Sequence, residues 1–382
     1  MSESNEGPSV YENWRAALLG KAVQSSFEFP FFTDAHITGT IEEGYGPYQF
    51  INTVLSSIRN THPRHPAIIF RVDVHLTFEP SELEMDKTDD ERYHGGYLQD
   101  EAAALVSLSV GIRLKSGAMI RRWDEPHGDP KGYPCYFQFA EDPVLPTSFI
   151  QSIVPRALGT HSLGEITPMA NLHKLPPNDA VVLIRAARLY QDGLWIAESE
   201  PNLSWLMFVS ALETAANHWR AAIETPVDRL RTSRPNLEEI LKQYGGDELV
   251  LKVAEEVAPY MGSTKKFVDF VLAFLPDPPR DRPYEWAQHS WDARPMKASL
   301  ETIYKYRSKA LHGGKPFPAP MCHPPDRLGQ EVGLGEIPTG LATSTKGGTW
   351  LSEDTPMLLH TFEHIVRGAL LNWWRSLNLN GH

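Results

Sequence analysis

The sequence predicts an α+β domain of unknown function over residues 1–175, followed by an all-α helical bundle over residues 176–382. Apolar and polar residues alternate at several places before residue 175, which is typical of half-buried strands. After residue 175, apolar residues recur every three or four positions, which is typical of helices. With 382 residues, the chain is long enough for about two domains.

The first half is expected to contain several strands and one helix. Alternation is clearest over residues 68–78, where every second side chain is apolar. Shorter strands are predicted at 27–29 and 118–120. Apolar residues at helical spacing predict a helix over 97–114. Residues 79–96 are acidic and end in two glycines, so we expect an exposed loop there.

The second half is expected to form a series of helices. Asn236 is a typical N-cap residue, and the helix that it begins is expected to break at Gly245–Gly246. Thr355 followed by Pro356 predicts an N-cap and first residue for the last helix. The predicted helices cover residues 177–199, a stretch from about 202, then 236–257, 263–276, 296–311 and 355–377.

Two stretches of the second half are expected to lie outside these helices. Arg229, Arg231 and Arg234 fall between predicted helices and are read as exposed loop charges. Residues 315–353 are rich in Gly, Pro and Thr, and a loop of that length inside a compact domain is usually either functional or disordered. The sequence leaves these two alternatives open.

Composition limits the class of protein. No stretch of 18 apolar residues occurs, which predicts no membrane association through a spanning helix. The polar, acidic N-terminus does not resemble a secretion signal, and two cysteines, Cys135 and Cys322, form no disulfide framework. A cytoplasmic protein is therefore expected. The net charge of −12 argues against RNA binding over the whole surface but permits a local cationic site.

One segment, residues 304–314, combines an arginine and a histidine at the end of a patterned helix. An arginine, four residues and a histidine occur three times: at Arg122 and His127, at Arg156 and His161, and at Arg307 and His312. The first two pairs lie in stretches rich in turn-forming residues. Only Arg307 and His312 lie at the end of a predicted helix, before Gly313–Gly314.

This third segment resembles the signature of the HEPN superfamily, and the Arg307–Ser308 start and His312–Gly313 end are most similar to its Apea-like branch. The run 205–219 with Glu213, and residues 262–267, resemble the accompanying helices of that branch. The resemblance covers about residues 178–380. It implies a metal-independent endoribonuclease that cleaves RNA as a homodimer. It further implies a toxin or effector of prokaryotic defence whose activity a partner or regulator protein controls.

The residues themselves suit cleavage of RNA through its own 2′-hydroxyl. Histidine can act as base or acid near neutral pH, so His312 is the candidate for proton transfer. Arg307 would bind phosphate oxygens, and Ser308 would donate a further hydrogen bond to the phosphate. Glu213 would hold the Arg307 guanidinium in place. One histidine cannot easily serve as base and acid in a single step, so a second subunit would supply the other.

Further features of the candidate site remain open at the sequence level. Lys305, Lys309 and Lys315 are either RNA contacts or an ordinary solvated face. Along an ideal helix, Arg307 and His312 are rotated ~140° apart, so they converge only if the helix ends at His312. No metal or other cofactor is expected, because no carboxylate cluster or cysteine–histidine spacing suggests one.

Three other functions compete with a nuclease. The first is a non-catalytic HEPN module that binds RNA or nucleotides, or only dimerises. The second is an unrelated helical interaction domain in which the motif occurs by chance. A metal-dependent enzyme is the third. His312 is also favourably placed to interact with the helix dipole at a C-terminus, without any catalytic role.

Overall fold

The structure is a computed structural model of the chain. It describes most residues of both halves, with gaps that lie mainly in the first half. The described residues are 7–53, 65–76, 88, 90, 93–124, 131–136, 142–145, 151–221, 225–257, 262–328, 333–340, 342–345 and 347–379.

An antiparallel sheet forms the N-terminal region. Its central strands are β1 (Ser25–Thr33) and β4 (His65–Val74), which pair along nearly their whole length. The other elements of this region are α1 (Ser9–Leu18), β2 (His36–Thr38), β3 (Tyr48–Asn52), α2 (Leu98–Val110), β5 (Lys115–Ser116), β6 (Arg121–Trp123), β7 (Tyr133–Pro134) and β8 (Thr160–Ser162). The six-stranded sheet has the order β3-β4-β1-β6-β7, with β5 also paired to β1.

Helix α2 is the most buried element of the N-terminal region. Every residue from Glu101 to Val110 is buried, because the sheet region, α1 and the second half surround the helix. The helix ends at Val110, and its C-cap residue Gly111 has a φ of 80°, a conformation that favours glycine. The predicted helix 97–114 is therefore confirmed, but it ends four residues earlier than expected.

The second half is mostly helical, as predicted. A 3-10 helix (Leu163–Lys174) leads into it, and α3 and α4 form its most extensive helix pair. The α-helices are α3 (Pro177–Ile196), α4 (Pro201–Ala221), α5 (Pro226–Ser233), α6 (Pro235–Val257), α7 (Ser263–Ala273), α8 (Ala293–Gly313) and α9 (Leu359–Leu379).

One hydrophobic core runs through both halves, from Val10 in α1 to Trp374 in α9. A buried hydrogen bond also crosses residue 175: the Gln191 amide donates to the Leu114 carbonyl at 2.7 Å. The N-terminal sheet region and the helical region therefore pack as neighbours around shared apolar contacts. The division into domains at residue 175 stays a prediction.

Two predicted strands are confirmed and a third is displaced. Residues 27–29 lie in β1, and residues 68–74 lie in β4, although 75–76 leave the strand and 77–78 are outside the described residues. The strand predicted at 118–120 is wrong, since the paired residues are Arg121–Trp123 in β6. The predicted loop 79–96 lies largely outside the described residues.

Two details of the helical half are also wrong. Arg229 and Arg231 lie on α5, a short helix that Thr225 caps through the Asp228 amide, rather than in a loop. Thr355 is not the N-cap of α9, because that helix begins only at Leu359. The Thr355 hydroxyl instead donates to the carbonyl oxygens of the preceding 3-10 turn. The predicted break in α6 is confirmed at Gly246, whose φ is 65°.

The segment 315–353 packs on the bundle at several described points. Phe317 and Met321 are buried, and a hairpin of β9 (Ala342–Thr345) and β10 (Gly348–Leu351) follows. Glu336 is 1% exposed and accepts hydrogen bonds from the Arg282 guanidinium and the His289 backbone amide. The described residues of this segment therefore pack against the rest of the chain, which argues against the second alternative, while a function for the segment stays a prediction.

Candidate functional site

Helix α8 carries the candidate site and has one buried and one exposed face. Met296, Leu300 and Ile303 are fully buried against the bundle, which is why this sequence forms a long helix against α4 and α7. The helix ends at Gly313, and Gly314 caps it with a φ of 60°. The Lys315 amide then donates to the Lys309 carbonyl, so the predicted stop is confirmed.

Arg307 lies toward the bundle and is held by Glu213 of α4. Its Nη2 donates to Glu213 Oε2 at 2.6 Å, and their side chains are 21% and 15% exposed. The Tyr304 hydroxyl donates to Glu213 Oε1 at 2.6 Å, and the guanidinium lies 5.5 Å from the Tyr304 ring centroid. The predicted contact between Glu213 and Arg307 is therefore present, and Tyr304 completes it.

The electrostatics of this group favour a neutral Tyr304. Burial, together with the neighbouring Glu213 carboxylate, raises the pKa of Tyr304 to about 12. Because Glu213 receives one bond from each partner, both of its oxygens are occupied. Glu213 is thus a partnered acid that fixes two side chains of α8.

His312 is placed differently from Arg307. It lies on the exposed last turn of α8, and within the described part of the chain its side chain has no hydrogen bond or ion pair. The ~140° rotation between the two positions along a helix is retained, because α8 continues past His312 to Gly313. Within one chain, Arg307 and His312 therefore lie on different faces of α8.

The remaining predicted site residues surround this last turn. Ser308 is half-buried, whereas Lys305, Lys309 and Lys315 are exposed. The Lys309 ammonium lies 5.6 Å from the Tyr306 ring centroid. The three lysines are therefore accessible to a ligand, which is compatible with both an RNA contact and a solvated face.

The other two arginine–histidine pairs have structural roles where they are described. Arg122 lies in β6 with His127 outside the described residues. Arg156 lies in a 3-10 turn and His161 in β8, where the imidazole Nε2 is 3.0 Å from the Leu158 carbonyl. Of these residues, none of the three that the structure describes, Arg122, Arg156 and His161, lies at the end of an α-helix.

Sequence reasoning missed the two tyrosines of the site. Tyr304 bonds to Glu213, while the Tyr306 hydroxyl donates to the Asp354 carbonyl at 2.8 Å and its ring packs on Phe317. The two tyrosines are two residues apart and lie on opposite sides of α8, so they do not form a face that a helical pattern would reveal. The only indication in the sequence was that Glu213 needed a partner on the helix after α7.

The two cysteines, Cys135 and Cys322, are free. Burial raises the pKa of the Cys322 thiol to about 12, which disfavours the thiolate. Among the described residues, no group of three or more His, Cys, Asp or Glu side chains is placed to hold a metal ion. No helix in the described part of the chain combines the length and apolar character needed to cross a membrane.

Comparisons with protein-family models, with curated proteins and with solved structures found no match for this chain. The resemblance to the HEPN superfamily therefore depends on the residues of α4, α7 and α8 alone.

Proposed function

We propose that the protein is a metal-independent endoribonuclease of HEPN type, in which His312 transfers protons and Arg307 binds the scissile phosphate. The observation that carries this proposal is the fixed Arg307 guanidinium, held by Glu213 near the turn that exposes His312. A guanidinium that is held in place but remains partly exposed can bind a phosphate oxygen, and an exposed imidazole can transfer protons.

The reaction would need no external nucleophile. The ribose 2′-oxygen attacks the adjacent phosphorus while a histidine takes the 2′-hydroxyl proton. The bond from phosphorus to the 5′-oxygen breaks, and that oxygen receives a proton from a second acid. The products are a 2′,3′-cyclic phosphate and a 5′-hydroxyl, and Arg307 would stabilise the charge that builds up on the phosphate.

A homodimer would solve two problems of the single chain. Arg307 and His312 lie on different faces of α8, so one copy does not surround a phosphate. A second copy, with its α8 facing the first, would add another imidazole as the missing acid. Activity should therefore depend on the protein concentration in the range where dimers dissociate.

The test is incubation of purified protein with total cellular RNA in the presence of a chelator. Wild type should cleave RNA. His312→Ala should lose at least about 100-fold in rate, which is typical of removing a general acid–base group. Arg307→Ala should also lose about 100-fold, which is typical of removing one group that stabilises transition-state charge. His323→Ala is the matched control, because His323 is also exposed but lies outside α8. Equal cleavage by all four proteins would reject the proposed site.

The rival with a specific observation in its favour is a non-catalytic RNA-binding module. The bond between Arg307 and Glu213 already occupies part of the guanidinium, and Arg307 Nε is buried without a hydrogen-bond partner among the described residues. In this alternative, Arg307 has only a structural role inside the bundle. RNA binding without cleavage by the folded wild type would favour it.

A role in prokaryotic defence, as a toxin or effector under a partner or regulator protein in the cytoplasm, also belongs to this proposal. It follows from the family resemblance alone. Expression of the wild type should arrest growth of a bacterial host, and expression of His312→Ala at the same level should not.

A further inference from the structure

The exposed face of α8 carries a row of positive charges that extends beyond the candidate site. The exposed residues Arg294, Lys297, Lys305 and Lys309 lie on one face of the helix, within ~120° of rotation about its axis. His312 lies at the end of the same face. The row spans ~22 Å from Arg294 to Lys309 at the helical rise per residue.

This row is unusual in a chain with a net charge of −12. Its single acidic member is Glu301, whose carboxylate is 3.9 Å from the Lys297 ammonium, with side chains 52% and 58% exposed. Such an exposed pair contributes little to stability, so Lys297 remains available to another anion. The comparably long helix α6 carries six carboxylates and only two lysines.

We propose that this row, which we name the α8 track, binds the backbone of single-stranded RNA and leads it to His312. The inference rests on the proposed function and adds Arg294 and Lys297 as RNA contacts. Cations distributed along one face of a helix can contact successive phosphates of one extended strand, whereas a duplex backbone curves away from the helix axis. Phosphate contacts of this kind position the strand without reading its sequence.

The flanks of the helix define the path of the strand. On one side, Tyr306 is bonded to Asp354, and burial with the Asp354 carboxylate raises the pKa of Tyr306. Negative charge on that flank repels phosphate, so the strand stays on the track. Arg307 lies on the inner side of α8, paired with Glu213, and is not part of the track.

Four phosphate contacts predict a measurable salt dependence. For single strands, the slope of log K against log salt is about −0.7 per contact, or about −2.8 for four cations. The double variant R294Q/K297Q should lower that slope by about 1.4 in magnitude and weaken binding about 25-fold near ~0.1 M salt. E301K should strengthen binding about 5-fold by adding one contact.

The experiment measures binding of a fluorescent 12-nucleotide oligouridine to the His312→Ala protein, which leaves the RNA uncut. The controls are K252Q and E248K on α6, because Lys252 and Glu248 form an exposed pair at the same four-residue spacing. These controls should bind like the parent. A duplex of equal length should bind more weakly than the single strand.

The outcomes separate the α8 track from the nuclease. If R294Q/K297Q binds like the parent while wild type still cleaves RNA, the track is wrong and the nuclease stands. If the track variants weaken binding but wild type never cleaves, the nuclease is wrong and the track stands. If the parent does not bind oligouridine, or the α6 controls weaken binding equally, the track is rejected.

Discussion

Arg307 of α8 and Glu213 of α4 are joined by a hydrogen-bonded ion pair of 2.6 Å between helices that are far apart in the sequence. The pair orients the guanidinium toward the bundle, while His312 lies on the outer turn of the same helix. Arg307 thus has a fixed position before any ligand arrives. This fixed position is the feature on which the proposed chemistry depends.

Glu213→Gln should destabilise the fold. The substitution keeps an acceptor for Tyr304 but places an amide next to Arg307, so the guanidinium loses its anionic partner. We expect a loss of about 1–3 kcal/mol in the free energy of unfolding, measured by urea denaturation. Glu248→Gln, at an exposed position of α6, is the control and should unfold like wild type. Identical midpoints for both variants would show that the Glu213 contact contributes nothing.

Neighbouring glycines at the end of α8 should respond in opposite directions. Gly314 has a φ of 60°, so Gly314→Ala should destabilise the protein by about 1 kcal/mol. Gly313 is helical and a Cβ there would meet open space, so Gly313→Ala should stabilise it by about 0.5–1 kcal/mol. Thermal unfolding of both variants tests this. Equal shifts of the same sign would contradict the helix end described for α8.

Acid should weaken the fold through His360. Burial lowers the pKa of His360 from 6.5 to about 4, so the unfolded chain binds this proton more readily than the folded protein. Stability is therefore full above about pH 6.5 and falls as the pH decreases toward about 4, by about 3 kcal/mol for this residue. His360→Gln, which retains a donor for the Gly335 carbonyl, should flatten the dependence. If the stability of His360→Gln fell as steeply as that of wild type between pH 6.5 and 4, this prediction would be wrong.

Breaking the Glu336 network should release the segment that follows α8. Glu336→Gln leaves the Arg282 charge without its carboxylate, and losing one member of a buried pair costs about 3 kcal/mol or more. Proteolysis within 315–353 should become faster than in wild type. Glu353→Gln is the control, since Glu353 is exposed. Equal proteolysis rates in the two variants would mean that Glu336 does not anchor the segment.

Apolar periodicity correctly predicted the elements that bury one regular apolar face. Strand β4 and helices α3 and α8 have one dominant apolar pattern, so their positions followed from the sequence to within a few residues. Residues 118–120 alternate no more strongly than their neighbours, and the paired strand is decided by its contact with β1. Pairing with a distant strand cannot be recognised from a short stretch of sequence.

Capping signals were less reliable than periodicity. Thr355–Pro356 has the composition of a helix start, but the Leu358 amide donates to the Glu336 carbonyl and α9 begins after it. The competing partner lies in another segment, so local sequence could not reveal it. Within the site, the partner of Arg307 was predicted from the family resemblance of the run that contains Glu213. The outward placement of His312 follows from the continuation of the helix to Gly313.

The most direct test of the central claim is the chemistry of the RNA ends made in chelator. Wild type should release fragments with a 2′,3′-cyclic phosphate and a 5′-hydroxyl, and a substrate with 2′-deoxyribose at the cleaved position should resist. His312→Ala should release none. Fragments with 5′-phosphate ends, or undiminished cleavage by His312→Ala, would contradict the account.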